Sequence, residues 1–209
     1  MTGTGKYDKA AQGWSDEQYA DSDAYLRHRA ELVVSLGLPL VPGDTVLDLA
    51  CGDGGLAEPL LAAGLGYSGV DLSGPMVDAA RRRLAGRAEI HEADLNEFAP
   101  PAPAQATTCF RAIYYTRDRR AFFERVAGFT EKKLVFDLNP RQYRIEDVRV
   151  ELAAAGLTWV TLRPFFSPQR VGLPGPVAAT LRAAERSGPV ARLALRYRFS
   201  YMVAASRSA

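Results

Sequence analysis

Thiols and imidazoles are scarce in this 209-residue chain, which has only Cys51, Cys109, His28 and His91. They make no CxxC pair and no metal-ligand spacing, so neither a structural zinc site nor a disulfide framework is expected, and no metal. Net charge is equally small, +2 from 26 basic and 24 acidic side chains, so no global field calls for nucleic acid. No apolar run approaches the roughly 20 residues of a membrane span. The opening "MTGTGKYDKAAQGW" lacks the apolar region of a leader, and a cytoplasmic protein is the expectation. The one charge asymmetry lies late in the chain, where Arg163, Arg170, Arg182, Arg186, Arg192, Arg196, Arg198 and Arg207 face Glu185 alone. A solvated helix face and strand rim accounts for it more simply than an anionic substrate, an acidic carrier protein or a membrane surface.

Hydrophobic residues, by contrast, make up 47% of the chain, enough to bury the core of one domain. Their spacing alternates between strand and helix. Residues 17–36 have helical character. Residues 46–49 read as a short buried strand and 56–63 as the helix after it, stopped by Gly64. A second strand over 67–72 leads into "SGPMVDAARRRL", with a serine N-cap and Met76, Val77, Ala80 and Leu84 on one face. A third strand, 88–95, ends in Asp94, and the Pro-rich stretch 100–105 connects onward. A strand over 107–112, a helix over 119–129 and a strand over 134–138 follow. Then come a helix over 145–155 closed by Gly156, a strand over 158–162, a Pro- and Gly-rich loop and a helix near 177–186. Residues 194–206 alternate at Leu195, Tyr197, Phe199, Tyr201 and Val203, the pattern of a long last strand. Such alternation predicts a single α/β domain over 1–209, a doubly wound parallel sheet with ligands at the carboxyl ends of its strands.

In that fold the first strand-to-helix turn is the expected ligand cradle, and here it reads "TVLDLACGDGGLAEPLL" over 45–61. Gly52 and Gly54 let backbone turn tightly and approach a ligand; a turn serving packing alone is the plainer alternative. Residues 52–57 satisfy the GxGxxG/A dinucleotide pattern, and Asp71 lies near the distance of a ribose-binding acid. A pyrophosphate there would meet Asp53 in the loop and Asp48 at the strand end, whereas a cationic ligand would be favoured by both.

"VLDLACGDGG" resembles the first motif of class I S-adenosylmethionine-dependent methyltransferases, with Ala50 where a glycine often stands. "GVDLSGPMVDAARRRL" resembles the second and "HEADLNEF" the third, in order and at compatible spacing. "CFRAIYYTRDRRAFFERVA" is similar to the fourth-strand segment, although its usual initial acid is missing and "PAQATT" stands there. The resemblance covers nearly the whole chain. It implies a mostly parallel seven-stranded Rossmann-like sheet with an antiparallel last strand (44–209) and an N-terminal helical lid (1–36). It also implies S-adenosyl-L-methionine as cofactor and S-adenosyl-L-homocysteine as product. Asp71 would hold the ribose hydroxyls, Leu72 and Met76 would lie beside adenine, and Asp94 and Leu95 would meet its amino group and ring. Asp48, Ala50, Gly52, Gly54 and Phe110 complete the cofactor set. "YDKAAQGW" matches a lid pattern of the small-molecule branch, with Tyr7, Trp14 and Tyr19 over the methionine end and Arg27 or Arg29 for its carboxylate. Arg111, Tyr114, Tyr115, Asn139 and Arg141 are the expected substrate-facing residues, with Phe165 and Phe166 as candidates for an apolar wall. No catalytic base is assigned, and His28 is expected to be structural. A small-molecule methyltransferase is the implied function. A binding protein or pericyclic catalyst on the same fold, and an NAD-dependent oxidoreductase, are the alternatives.

Overall fold

The computed structural model describes residues 19–196 and 200–207. An aliphatic run forms β1 (Thr45–Leu49), β2 (Gly66–Asp71) carries Tyr67 and Val70 into the two cores, and each strand ends at or beside an acid. They are joined through helix α2 (Ala57–Ala62), while α1 (Ser22–Ser35) precedes β1 and is opened by Asp21, whose carboxylate accepts from Ala24 N–H at 2.9 Å. Helix α3 (Gly74–Leu84) follows, with Ser73 accepting from Met76 N–H as anticipated. The chain continues through β3 (Glu89–Glu92), β4 (Ala104–Cys109), a 3-10 turn (Ile113–Tyr115), α4 (Arg119–Gly128) and β5 (Thr130–Leu138). It closes with α5 (Ile145–Ala154), β6 (Trp159–Pro164), α6 (Gly175–Arg186), α7 (Gly188–Arg196) and β7 (Tyr201–Ser206).

Among the described residues the seven strands form one sheet in the order β3-β2-β1-β4-β5-β7-β6. The pairs from β3 to β5 are parallel, and β7 runs antiparallel between β5 and β6. Alternating side chains supply two cores, one on each face. Val46, Ala106, Val135, Met202 and Ala204 face α1 to α3, while Leu47, Leu49, Leu134, Phe136 and Val203 face α4 and α5. No helix among the described residues is long and apolar enough to cross a membrane.

Four sequence-based boundaries are corrected. The expected strand over 194–206 divides into α7, residues 197–199 outside the described set, and the short β7. "GPVARLALR" opens on Gly-Pro, and Val190, Leu193 and Ala194 recur at helical spacing, which here outweighs alternation. The strand expected at 107–112 lies at Ala104–Cys109, because the chain leaves the sheet before Arg111, whose φ is +53°. The strand expected at 134–138 begins at Thr130, since Lys133 is wholly buried within the sheet despite its charge. The third strand also stops at Glu92, leaving Asp94 in the turn after it.

Candidate active site

Four loops, each following one of the strands β1 to β4, converge with α1 on a cavity of about 410 Å³. The first is the glycine turn. Ala50, where the backbone reverses after β1, has φ +63°, a left-handed conformation that costs an L-residue roughly 1–2 kcal/mol. Gly52 (φ +57°) takes the same region without that cost, and its N–H donates to Asp71 Oδ2 at 2.8 Å. Ser73 N–H donates to the other Asp71 oxygen at 2.9 Å, so this one carboxylate ties the β1 and β2 loops together. Burial pushes the Asp71 carboxyl above its ordinary range, against the pull of these N–H groups.

Asp48 is buried below the turn. Tyr67 donates to its Oδ2 at 2.8 Å and Thr108 to its Oδ1 at 2.6 Å. Burial nevertheless raises its carboxyl to about 6, with the hydroxyl bonds and the nearby Arg29 opposing the shift. Asp53 corrects part of the charge argument made from sequence: Arg83 Nη2 lies 2.8 Å from its Oδ2, so its negative charge is matched from α3. Asp53 lines the cavity beside Asp48 and Asp71, but it does so with a cation already paired to it.

After β3, Asp94 accepts from Asn96 N–H and Nδ2 at 2.8 Å each and from Arg117 Nη2 at 2.6 Å. Burial alone would raise the Asp94 carboxyl; these partners more than offset it and hold it below the usual carboxylate range. Arg125 on α4 donates to the Leu95 and Phe98 carbonyls and pins that loop. After β4 come Phe110, Arg111, Tyr114 and Tyr115, the last two 43% and 46% exposed at the rim.

Helix α1 brings Leu26 and Arg29 to the cavity, and Tyr19 stands just before it. Arg29 is only 4% exposed, yet Asp137 Oδ2 is 3.7 Å from its Nη2 and its Nε has no hydrogen-bond partner among the described residues. Its guanidinium sits 4.5 Å from the Phe110 ring centre and 4.9 Å from that of Tyr25, whose hydroxyl accepts from Nη2 at 2.7 Å. Arg27 is exposed on the same helix.

Of the residues singled out from sequence, Tyr19, Arg29, Asp48, Ala50, Gly52, Asp71, Leu72, Met76, Asp94, Leu95, Phe110, Arg111, Tyr114 and Tyr115 all line this cavity. Gly54, Asn139 and Arg141 do not. Gly54 (φ +74°) lies against α3, where an added Cβ would come 3.2 Å from that of Ala80. Asn139 Oδ1 accepts from Arg141 N–H at 3.0 Å in a turn beyond β5. Phe165 also lies elsewhere, stacked on His28 at 5.2 Å, while Phe166 N–H donates to Glu185. Tyr7 and Trp14 fall outside the described residues. His28 pairs with Glu185 at 2.7 Å and does not line the cavity. Sequence reasoning missed Leu26, Asn96 and Arg117. Asn96 was readable, since Asp-x-Asn after a strand is a turn signal; the Asp94–Arg117 pair was not, because the two are brought together only by the fold.

A family model described as a methyltransferase domain matches residues 46–133, the segment that supplies the first four strands. A trans-aconitate 2-methyltransferase of Rhizobium leguminosarum bv. trifolii (strain WSM2304) is 28% identical over 186 residues, 85% of this chain and 70% of that protein. Other curated relatives are matched over about half their length or less, 44% and 50%. Among solved structures, a chain of the complex between the Haloferax volcanii Trm112 methyltransferase activator and a methyltransferase aligns with TM-score 0.69 at 18% identity, covering 98% of each chain. Magnesium protoporphyrin IX methyltransferase of Synechocystis PCC 6803, with S-adenosylmethionine bound, aligns with TM-score 0.58 at 18% identity over 100% of this chain and 85% of its own.

Proposed function

Because the chain belongs to the class I S-adenosylmethionine-dependent methyltransferases, we propose that it moves the cofactor's methyl group to an O, N or C atom of a small-molecule acceptor. The observation that carries this reading is the single cavity in which the glycine turn, Asp48, Asp71, the Asp94 loop and Arg29 converge. The residues fit the cofactor. A carboxylate has about four acceptor sites, and Asp71 accepts from the backbone of Gly52, Ser73 and Leu72, so it can still take a ribose hydroxyl. Leu72, Met76 and Leu95 supply apolar surface for an adenine ring. Asp48 supplies negative charge for a cation, and Arg29 a donor for a carboxylate. When bound, the cofactor supplies an electrophilic methyl on a sulfonium. The protein's part is then to align the acceptor and exclude water. No histidine lines the cavity among the described residues. The relative named for trans-aconitate, a small acid, supports an acceptor of small-molecule size.

The fold argues in the same direction against a dinucleotide. A two-half dinucleotide fold runs 3-2-1-4-5-6, whereas here antiparallel β7 is inserted between β5 and β6. Calorimetry tests the reading: the protein is expected to bind adenosylhomocysteine and not NAD. Asp71→Ala should weaken that binding at least about tenfold, since charge-assisted hydrogen bonds contribute roughly 1.5–3 kcal/mol each. Asp71 also holds backbone N–H groups of both loops, so Asp71→Asn, which keeps one acceptor oxygen, is the companion variant. Unchanged affinity in both folded variants would place the ribose elsewhere, and NAD binding without adenosylhomocysteine binding would reverse the assignment.

A further inference from the structure

Asp94, Asn96 and Arg117 all line the cavity, and they are bonded to one another across two loops. Asp94 Oδ1 accepts from Asn96 N–H and Nδ2 at 2.8 Å each, which fills that oxygen. Its Oδ2 accepts from Arg117 alone, at 2.6 Å. Of about four acceptor sites on a carboxylate, the one left over therefore lies on the oxygen that Arg117 holds. Asn96 reaches further. Its Nδ2 also donates to the Tyr115 carbonyl at 3.2 Å, and its Oδ1 accepts Arg117 N–H at 2.9 Å. Arg117 Nη1 donates to Glu97 at 2.8 Å. The loop after β3 is thus clipped to the segment leaving the 3-10 turn, by side chain to backbone and by charge to charge. That turn carries Tyr114 and Tyr115, whose ring centres lie 4.4 Å apart. The clip is weak by itself. The Arg117 and Glu97 side chains are 65% and 68% exposed, so water screens their pair, and only Asp94, at 17%, is sheltered. Such a link opens locally, and a ligand that bonds Asp94 Oδ2 in the closed arrangement shifts it toward closure.

We infer that Asn96 and Arg117 are positioning residues that couple the cofactor's base to the Tyr114–Tyr115 turn, so that filling the adenine end sets the rim of the cavity. The inference rests on the cofactor reading above, which brings the adenine amino group to Asp94. An amino N–H on Oδ2 shares that oxygen with Arg117, so opening the clip would also deprive the base of a fixed acceptor. The coupling is reciprocal, and the clip favours the base as much as the base favours the clip. The amino-acid end of the cofactor, placed beside Arg29 in that reading, has no such bond to make.

Hydrogen exchange with mass detection tests the coupling. In the wild-type protein, saturating adenosylhomocysteine is expected to slow amide exchange over residues 113–118 by at least about threefold. Adenosine at saturation should do the same, and homocysteine should not. Arg117→Met keeps the side-chain stem and the N–H to Asn96, whereas Asn96→Ala removes the whole amide. In both, the ligand's effect on 113–118 should fall below about 1.5-fold while residues 50–55 stay protected. Arg117→Lys, which still reaches one carboxylate, should recover part of the effect. Arg117 is exposed, so Arg117→Met keeps the test available if Asn96→Ala does not fold. A clip that only braces the fold would change exchange in the free variants and leave the ligand's effect on 113–118 as in wild type; that result overturns the inference. So does protection of 113–118 by homocysteine alone. Should adenosylhomocysteine protect neither 50–55 nor 113–118, the cofactor reading itself fails, and the two failures are thereby distinguished.

Discussion

Burial raises the Asp48 carboxyl to about 6 although Tyr67 and Thr108 both donate to it, so its charge state changes within an accessible pH range. The folded value lies above the unfolded one. The stability associated with the protonated acid is thus present below about pH 4 and is lost as pH rises through about 6. A cationic ligand works the other way, because it favours the carboxylate. Adenosylmethionine affinity is therefore expected to fall as pH drops from 7.5 to 5.5, by about fourfold for a single group titrating near 6. Asp71, shifted upward by burial as well, acts in the same sense. Calorimetry at the two pH values, on wild type and Asp48→Asn, checks this: the variant should bind more weakly at pH 7.5 and depend less on pH. Equal pH dependence in both proteins would remove Asp48 from the ligand's charge balance. Asp48, Asp71 and Asp94 were legible in sequence because each sits at or just beyond a strand's carboxyl end. Their partners were not, since Thr108 and Arg117 meet them from 60 and 23 residues away.

At the scale of elements, α1 reaches the cavity because it is held at both ends. Asp21 caps its start, and at its last turn and C-cap Lys133 of β5 donates to the carbonyls of Val34 at 3.1 Å and Leu36 at 2.8 Å. His28–Glu185 joins the same helix to α6. Burial lowers the Lys133 ammonium to about 7, while the unfolded chain keeps the ordinary lysine value. Over pH 7 to about 10 the unfolded state then binds more protons, so this residue's contribution to stability rises with pH. Melting temperatures at pH 7 and 8.5 for wild type and Lys133→Met should show the wild-type difference to be the more positive. Identical slopes would mean that Lys133 is not titrating in the folded protein. A run such as Thr-Glu-Lys-Lys reads as loop in sequence; a lysine in mid-sheet is stable only because carbonyls at a helix end await it.

For the whole molecule, the cavity joins loops from four parallel strands to α1, so a ligand there bridges parts that are remote in sequence. Such a ligand should stabilise the whole domain by mass action. At a hundredfold excess over its dissociation constant, adenosylhomocysteine would contribute about 2.7 kcal/mol. A domain of this size gains about 2–4 °C per kcal/mol, so the melting temperature should rise by about 5–11 °C in one cooperative transition. NAD at the same concentration should leave it unchanged. A transition that splits, with only part responding to the ligand, would show that the sheet does not transmit the contact.

Sequence alone determined the alternation of strands and helices, the glycine turn after β1 and the acids that end the early strands. These are local matters: aliphatic runs must be buried, a tight turn needs residues that tolerate positive φ, and a serine before a helix caps it. Tertiary structure decided what those residues face. It matched Asp53 with Arg83, turned Asn139 and Arg141 away from the cavity, and made a helix of residues 188–196 where alternation suggested a strand. Each outcome depends on charges and surfaces contributed by distant segments. Which side chain meets which is settled by the order in which strands lie in the sheet, and strand order leaves no mark on the local pattern of any one of them.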